Sequence, residues 1–279
     1  MKLDLNKYIT TDDALFHYTK LSVAIENILP TKKLKLSLLK DTNDPIEKNI
    51  KLFGVSYLGW PENPIKAISN EAHPIINRIL LSESRVLCFC SNKNPTLILN
   101  DNDTVVDKHS CLEGWNKSRM WSQYGDNHSG ICIVFSKDDL EKELEKKRHK
   151  IFDYKSGYVQ YFQNGRMPWD TSTLDGNRAE TEGIEQYSYN HVIENSEEFF
   201  YRKHIDYRDE AEYRAVVFDP DGKLEYLDIS SSIKGVIVGY ETPEVYHPLI
   251  DQLSKQLEIE TRRARWSKSS RTSHLGKLS

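Results

Sequence analysis

Tyr207-Arg208-Asp209-Glu210-Ala211-Glu212-Tyr213-Arg214-Ala215-Val216-Val217-Phe218 runs from a charged stretch into an apolar one. Read as one extended strand, it turns Glu210, Glu212 and Arg214 to a single face, because side chains alternate with period two. Three charges on one face of a strand that enters a core are costly unless paired or put to chemical use. The structural explanation is a salt-bridge ladder in which Arg214 neutralises a neighbour. The functional one is a carboxylate held at a strand end facing a cleft, where it orients a hydroxyl or stabilises a developing cation. Partners from elsewhere in the chain discriminate between them.

Working outward, Gly130-Ile131-Cys132-Ile133-Val134-Phe135, Val86-Leu87-Cys88-Phe89-Cys90-Ser91 and Ala14-Leu15-Phe16-His17-Tyr18-Thr19 read as strands. So do 34–38, 224–229, 233–239 and, at the end, 260–266. Helices are predicted over 20–29, from about 46, within 60–82, over 117–124, 137–150 and 189–204, and from about 243 to 257. Strands separated by helices early and following one another later make an α+β domain. Residues 1–266 form one domain, with 136–206 a helical and loop insertion in which 163–190 is a polar loop or lid. The segment 92–114 is a polar loop, and 267–279 a basic, flexible tail.

The chain has 279 residues, of which 29% are charged and 38% hydrophobic, with a formal net charge of −4. That balance suits a soluble globular protein and gives no global electrostatic case for nucleic acid. No window is long and apolar enough to span a bilayer, and the start lacks an apolar signal core. The expectation is a cytoplasmic protein with no membrane partner. Cys88, Cys90, Cys111 and Cys132 are too few for a disulfide scaffold. Cys88, Cys90, His109 and Cys111 match no familiar zinc spacing, so no metal is expected.

Other segments offer partners for the opening strand. His17 sits near a strand end, where clefts form, although a lone strand histidine is more often a hydrogen-bonded core residue. Trp121 and Tyr124 lie three apart, as in a buried helical stripe. Alternatively, Tyr124 presents a flat ring for stacking a heteroaromatic ligand, with Ser122 as a hydrogen-bonding group. Asn43-Asp44-Pro45 with Glu47 shapes a ligand-facing loop or simply starts a helix.

In order, F-H-Y-T (16–19), N-D-P-I-E (43–47), C-F-C-S (88–91), M-W-S-Q-Y-G (120–125) and E-A-E-Y-R (210–214) resemble a widespread bacterial family catalogued as a domain of unknown function. The resemblance runs from about residue 14 to 260. That family's layout is similar to the ADP-ribosyltransferase superfamily, in its His-Tyr-Glu branch. The resemblance implies split antiparallel and mixed β-sheets flanked by helices, with NAD as co-substrate. It implies that His17 binds a ribose hydroxyl, that Tyr124 stacks on nicotinamide, and that Glu212 holds the ribose and favours an oxocarbenium-like transition state. Glu210 matches the extra acid that assists an acceptor. Tyr18, Thr19, Ser91, Ser122 and Arg214 complete the implied NAD-binding set. Tyr18 replaces the family's glycine after the histidine, and 136–206 has no counterpart.

The function so implied is cleavage of NAD at the nicotinamide glycosidic bond and transfer of ADP-ribose to a macromolecular acceptor, protein or nucleic acid. A toxin or phage-defence effector, with an antitoxin or regulatory partner, would act in this way. The alternative is a non-catalytic module on the same fold that binds a nucleotide or nucleic acid. Nuclease chemistry by the histidine and acids is a third option.

Overall fold

The computed structural model describes residues 3–42, 44–49, 54–56, 65–100, 103–106, 113–163, 172–267 and 273–278. A nine-stranded sheet organises them into a mixed α/β fold. Its strands are β1 (Ala14–Thr19), β2 (Ser37–Leu38), β3 (Ser84–Ser91), β4 (Ile131–Ser136), β5 (Asp153–Tyr158), β6 (Glu212–Phe218), β7 (Ile233–Val238), β8 (Glu260–Trp266) and β9 (Ser273–Lys277). The order across the sheet is β9-β8-β7-β4-β1-β3-β6-β5, with β2 also on β3. Neighbours are antiparallel except β7 and β8.

The sheet is not continuous along β3. One edge of β3 is filled by β6, from Glu212 opposite Cys90 to Phe218 opposite Ser84. The other edge is divided. β1 pairs with it at Leu15–Ser91 and Phe16–Cys90, and β2 pairs with it at Val86 and Arg85. Meanwhile β1 follows β4 along its whole length, from Ala14 opposite Ser136 to Thr19 opposite Ile131. The strands β1 and β3 therefore meet at one corner and part beyond it, which opens a split beside Leu87, Cys88 and Phe89.

Directly opposed residues share a face of the sheet. Leu15, His17, Phe89, Ile133, Phe135, Tyr213 and Val236 fall on one side by register. Helical segments bearing Ala24, Ile28, Leu140, Leu144, Ile250 and Leu253 cover that side with apolar groups. In the Lys137–Lys147 helix only Leu140 and Leu144, one turn apart, are buried. Ser136 caps its first turn by accepting from the Asp139 amide, and acids at the start and lysines at the end complement its dipole.

Phe16, Tyr18, Cys88, Cys90, Glu212, Arg214 and Val216 point the other way. Near the split they meet Trp115, Met120 and Trp121. Further along β6, the cover comes from Ala72, Ile76, Tyr187, Val192 and Phe200.

Four expectations change. The 136–206 segment is not merely an insertion, because it supplies β5, the edge strand beside β6. Its polar stretch is not a structureless loop: it holds the helices Gly176–Glu182 and Ile184–Glu194. The buried hydrophobic side chains of those helices are Ala179, Tyr187, Tyr189 and Val192, an apolar stripe too thin to stand out in sequence. Within the expected 92–114 loop, Thr96–Asn100 and Asp103–Val106 form a hairpin. With Gln160–Phe162 and Arg202–His204 it makes a second, four-stranded sheet. The final residues do not all trail away, since Ser273–Lys277 pairs with β8 as β9.

Gly130 precedes β4 beside the end of β1. A Cβ there would stand 2.3 Å from the Thr19 carbonyl oxygen. Gly130→Ala should therefore destabilise the fold by about 1–3 kcal/mol, as overpacking against fixed backbone does. Urea unfolding measures it; a neutral substitution would contradict the close approach.

Candidate functional site

A cavity of about 240 Å³ lies at the split. Side chains from both faces of the sheet reach it because the sheet opens there. His17 comes from one face, and Glu212 and Cys88 from the other; Tyr124 arrives from the end of the Ser118–Gln123 helix, and Glu210 from the turn before β6.

That turn differs from the straight strand expected from sequence. Ile205–Glu210 is a 3-10 turn, and Ala211 adopts a left-handed conformation with φ of 41°. Only Glu212 and Arg214 belong to β6. A non-glycine residue in this region carries backbone strain of about 1 kcal/mol or more. Its effect here is to bring Glu210 round, so that both carboxylates reach one ammonium. Lys203 Nζ lies 2.8 Å from Glu210 Oε2 and 2.7 Å from Glu212 Oε2.

A chain of buried charges follows. Arg214 is wholly enclosed and donates from Nε to Glu212 Oε1 (2.8 Å) and from Nη2 to Glu212 Oε2 (3.2 Å). Its Nη1 donates to the Phe200 carbonyl (2.7 Å) and stands 2.6 Å from Glu47 Oε1. At the other end, the Tyr124 hydroxyl donates to Glu210 Oε1 (2.7 Å). Glu47, Glu210 and Glu212 face Lys203 and Arg214, leaving one formal negative charge in excess.

The two neighbouring carboxyls titrate in opposite directions. Burial alone would raise Glu212, but the Arg214 and Lys203 charges outweigh it and hold that carboxyl well below the ordinary range. Burial also raises Glu210, and here it prevails, with Lys203 opposing it and the Glu212 charge adding to it. The same burial acting on Lys203 is overcome by Glu212 and Glu210, so the ammonium stays charged. Burial raises the Tyr124 phenol as well, and Glu210 raises it further.

His17 is lowered by burial, with its hydrogen bond to the Cys88 carbonyl opposing. Nδ1 lies 3.3 Å from that carbonyl, which can only accept, so Nδ1 carries the proton and Nε2 is the acceptor. The ring packs edge-on against Phe89 and Phe135, with centroids 5.8 and 6.5 Å away.

The remaining residues of the implied NAD-binding set divide. Tyr18 lines the cavity, its ring edge-on to Trp121 and its hydroxyl donating to the Gly114 carbonyl. Arg214 lines it too, but its guanidinium is enclosed among Glu212, Glu47 and the Phe200 carbonyl rather than offered to a phosphate. Thr19 is buried at the end of β1, away from the cavity lining. Ser122 is exposed and near Asn127, so it does not join Tyr124 in the cavity. Ser91 donates to the Ala211 carbonyl (2.7 Å) and lines a second cavity of about 210 Å³ behind the Glu212 backbone.

Lys203 is a site residue with no sequence signal: a lone lysine in a segment read as helix does not stand out. Tyr161 was missed likewise; its buried hydroxyl accepts from the Glu212 amide (2.9 Å). Asp44 and Glu47 do face the cavity, as the loop reading allowed, whereas Asn43, His109 and Cys111 lie outside the described residues.

Removing Arg214 would leave Glu47 and Glu212 buried without their shared cation. Arg214→Met should cost about 3–5 kcal/mol, the usual penalty for breaking a buried ion pair from one side. Glu212 also fixes a pH dependence. Its carboxyl is lowered on folding, so its stabilisation is present above the ordinary value of 4.5 and is lost progressively as pH falls below it. Thermal melts between pH 3 and 7 should show that loss in the wild type and a flatter acid limb in Glu212→Gln.

Comparison with curated proteins and with solved structures gives no match. Residues 120–215, which carry Tyr124, Lys203, Glu210, Glu212 and Arg214 but not His17, match the profile of a family described as "Protein of unknown function (DUF2971)".

Proposed function

We propose that this protein is an ADP-ribosyltransferase-like enzyme that cleaves NAD at the nicotinamide–ribose bond and passes ADP-ribose to a macromolecular acceptor, protein or nucleic acid. The observation that carries this reading is the meeting of His17, Tyr124 and Glu212, distant in sequence, around one cavity at a split in the sheet. The divided edge of β3, which lets both faces of the sheet reach one cavity, supports the reading.

Each residue has a physical part in it. His17 is neutral with Nε2 as an acceptor, so it takes a hydrogen bond from a ribose hydroxyl without adding positive charge. Tyr124 sets an aromatic ring beside the carboxylates, where nicotinamide would stack. The excess negative charge of the Glu47, Glu210 and Glu212 group favours the cationic nicotinamide and the positive charge that develops on the ribose as the glycosidic bond lengthens. A volume of about 240 Å³ is below the ~300–1,000 Å³ usual for sites that enclose a drug-sized ligand. It suits the nicotinamide-riboside half of NAD, with the pyrophosphate and adenosine outside.

A specific observation favours a second reading, a non-catalytic nucleotide-binding module: Glu212 already holds Arg214 and Lys203 as partners. Nicotinamide release from NAD in the presence of a cell-lysate acceptor separates the two. The enzyme should release nicotinamide, and Glu212→Gln should lower turnover by about 10²-fold or more, as loss of transition-state electrostatics does. His17→Ala should act mainly on KM. Equal turnover in wild type and Glu212→Gln would sink the catalytic role of Glu212, and NAD binding without turnover would favour the module.

A further inference from the structure

The two carboxylates beside the cavity differ in how many of their lone pairs are already occupied. A carboxylate offers about four acceptor positions. At Glu212, Arg214 fills one on each oxygen and Lys203 a second on Oε2. The Cys88 thiol is a further donor to the same carboxylate. Among the described residues, Glu210 has one donor on each oxygen, Tyr124 on Oε1 and Lys203 on Oε2, and so keeps room on both.

Placement points the same way. Glu212 lies at the start of a strand paired on both sides, its amide held by Tyr161. Glu210 ends a turn just before the strained Ala211, beside the ring that would stack the ligand.

We propose that Glu210, rather than Glu212, is the carboxylate that accepts a hydroxyl hydrogen bond from the bound ligand, and that Lys203 is the positioning residue that holds it there. The ligand part of this rests on the NAD reading above, in which the hydroxyl belongs to the nicotinamide ribose. Glu212 then acts through space as a fixed negative charge, with its geometry set by Arg214. Lys203 spans the pair, so the position and charge of Glu210 depend on an ammonium contributed by the Arg202–His204 strand. Among the described residues, the groups facing Glu210 are Lys203 and Tyr207 from that strand and the following turn, Tyr161 from the neighbouring Gln160–Phe162 strand, Tyr124 from the helix, Glu212 from β6 and Cys90 from β3, with Arg214 and Glu47 beyond.

Carboxyl-carbon NMR of protein labelled at glutamate, titrated from pH 4 to 9 without ligand, tests the division of labour. Glu210→Gln and Glu212→Gln assign the two signals. The Glu210 carboxyl should titrate above the ordinary glutamate range while Glu212 stays ionised. Lys203→Met should move the Glu210 midpoint upward by about tenfold or more in proton affinity, and Lys203→Arg should largely restore it. If Glu212 titrates and Glu210 does not, or if Lys203→Met leaves Glu210 unmoved, the proposal is overturned. Tyr124→Phe, which keeps the ring, should also raise the Glu210 midpoint and serves if a charge variant fails to fold.

Adding NAD then reports on the ligand. NAD should shift the Glu210 signal more than the Glu212 signal, and its affinity should fall about tenfold in Glu210→Gln. A shift confined to Glu212 would overturn the contact. If NAD moves neither signal and does not bind, the NAD reading and the ribose contact fall together, while the ligand-free titration still decides which carboxylate is available and whether Lys203 governs it.

Discussion

A guanidinium with no contact to water is the constraint on which the rest of the site depends. Arg214 is fully buried on a sheet face it shares with Glu212, Cys88, Cys90, Val86 and Val216. Desolvating such a cation costs several kcal/mol unless hydrogen-bonding acceptors surround it. Here the acceptors come from three places: Glu212 on the same strand, Glu47 in the Pro45–Lys48 helix and the carbonyl of Phe200 at the end of another helix. Satisfying Arg214 thereby fixes one wall of the cavity, the approach of the Ser196–Phe200 helix and the orientation of Glu212. The same requirement reaches Lys203 and Glu210 through the shared carboxylate.

The split in the sheet has equal weight. In a continuous sheet, His17 and Glu212 would sit on opposite faces, separated by the backbone layer and unable to share a ligand. β1 leaves β3 after two paired positions, and the resulting gap lets both faces contribute to one cavity. The hydrogen bond from His17 to the Cys88 carbonyl crosses that gap and fixes the imidazole's tautomer as well as its position. An unpaired strand edge, a liability elsewhere, here serves as the wall of a pocket.

Much of this was legible in the chain. The apolar strands β1, β3, β4, β6 and β7 carry clear runs, and the alternation of β6 correctly put Glu212 and Arg214 on one face. The ordered short motifs supplied His17, Tyr124, Glu47, Glu210 and Glu212, and all of them line the same cavity. The kink at Ala211 was not legible, since alanine carries no turn signal and the left-handed conformation is imposed by what lies on either side. Nor was Lys203, whose strand is only three residues long and owes its existence to parallel pairing with Gln160–Phe162. β9 was hidden for a similar reason: an edge strand rich in basic and hydroxyl residues lacks an apolar pattern and is defined by its neighbour. Features set by distant partners leave little trace in local sequence.

The left-handed turn at Ala211 also separates two parts of the molecule that sequence places side by side. Downstream of it, Glu212 and Arg214 belong to the load-carrying interior, where almost any replacement disturbs several segments at once. Upstream, Glu210 is attached to a short turn with partners only at its tip. One residue of unusual backbone thus divides a carboxylate locked into the strand's charge network from one held only through its two oxygens. Relaxing the backbone at Ala211 would withdraw Glu210 from Lys203 and Tyr124 while leaving Glu212 in its strand.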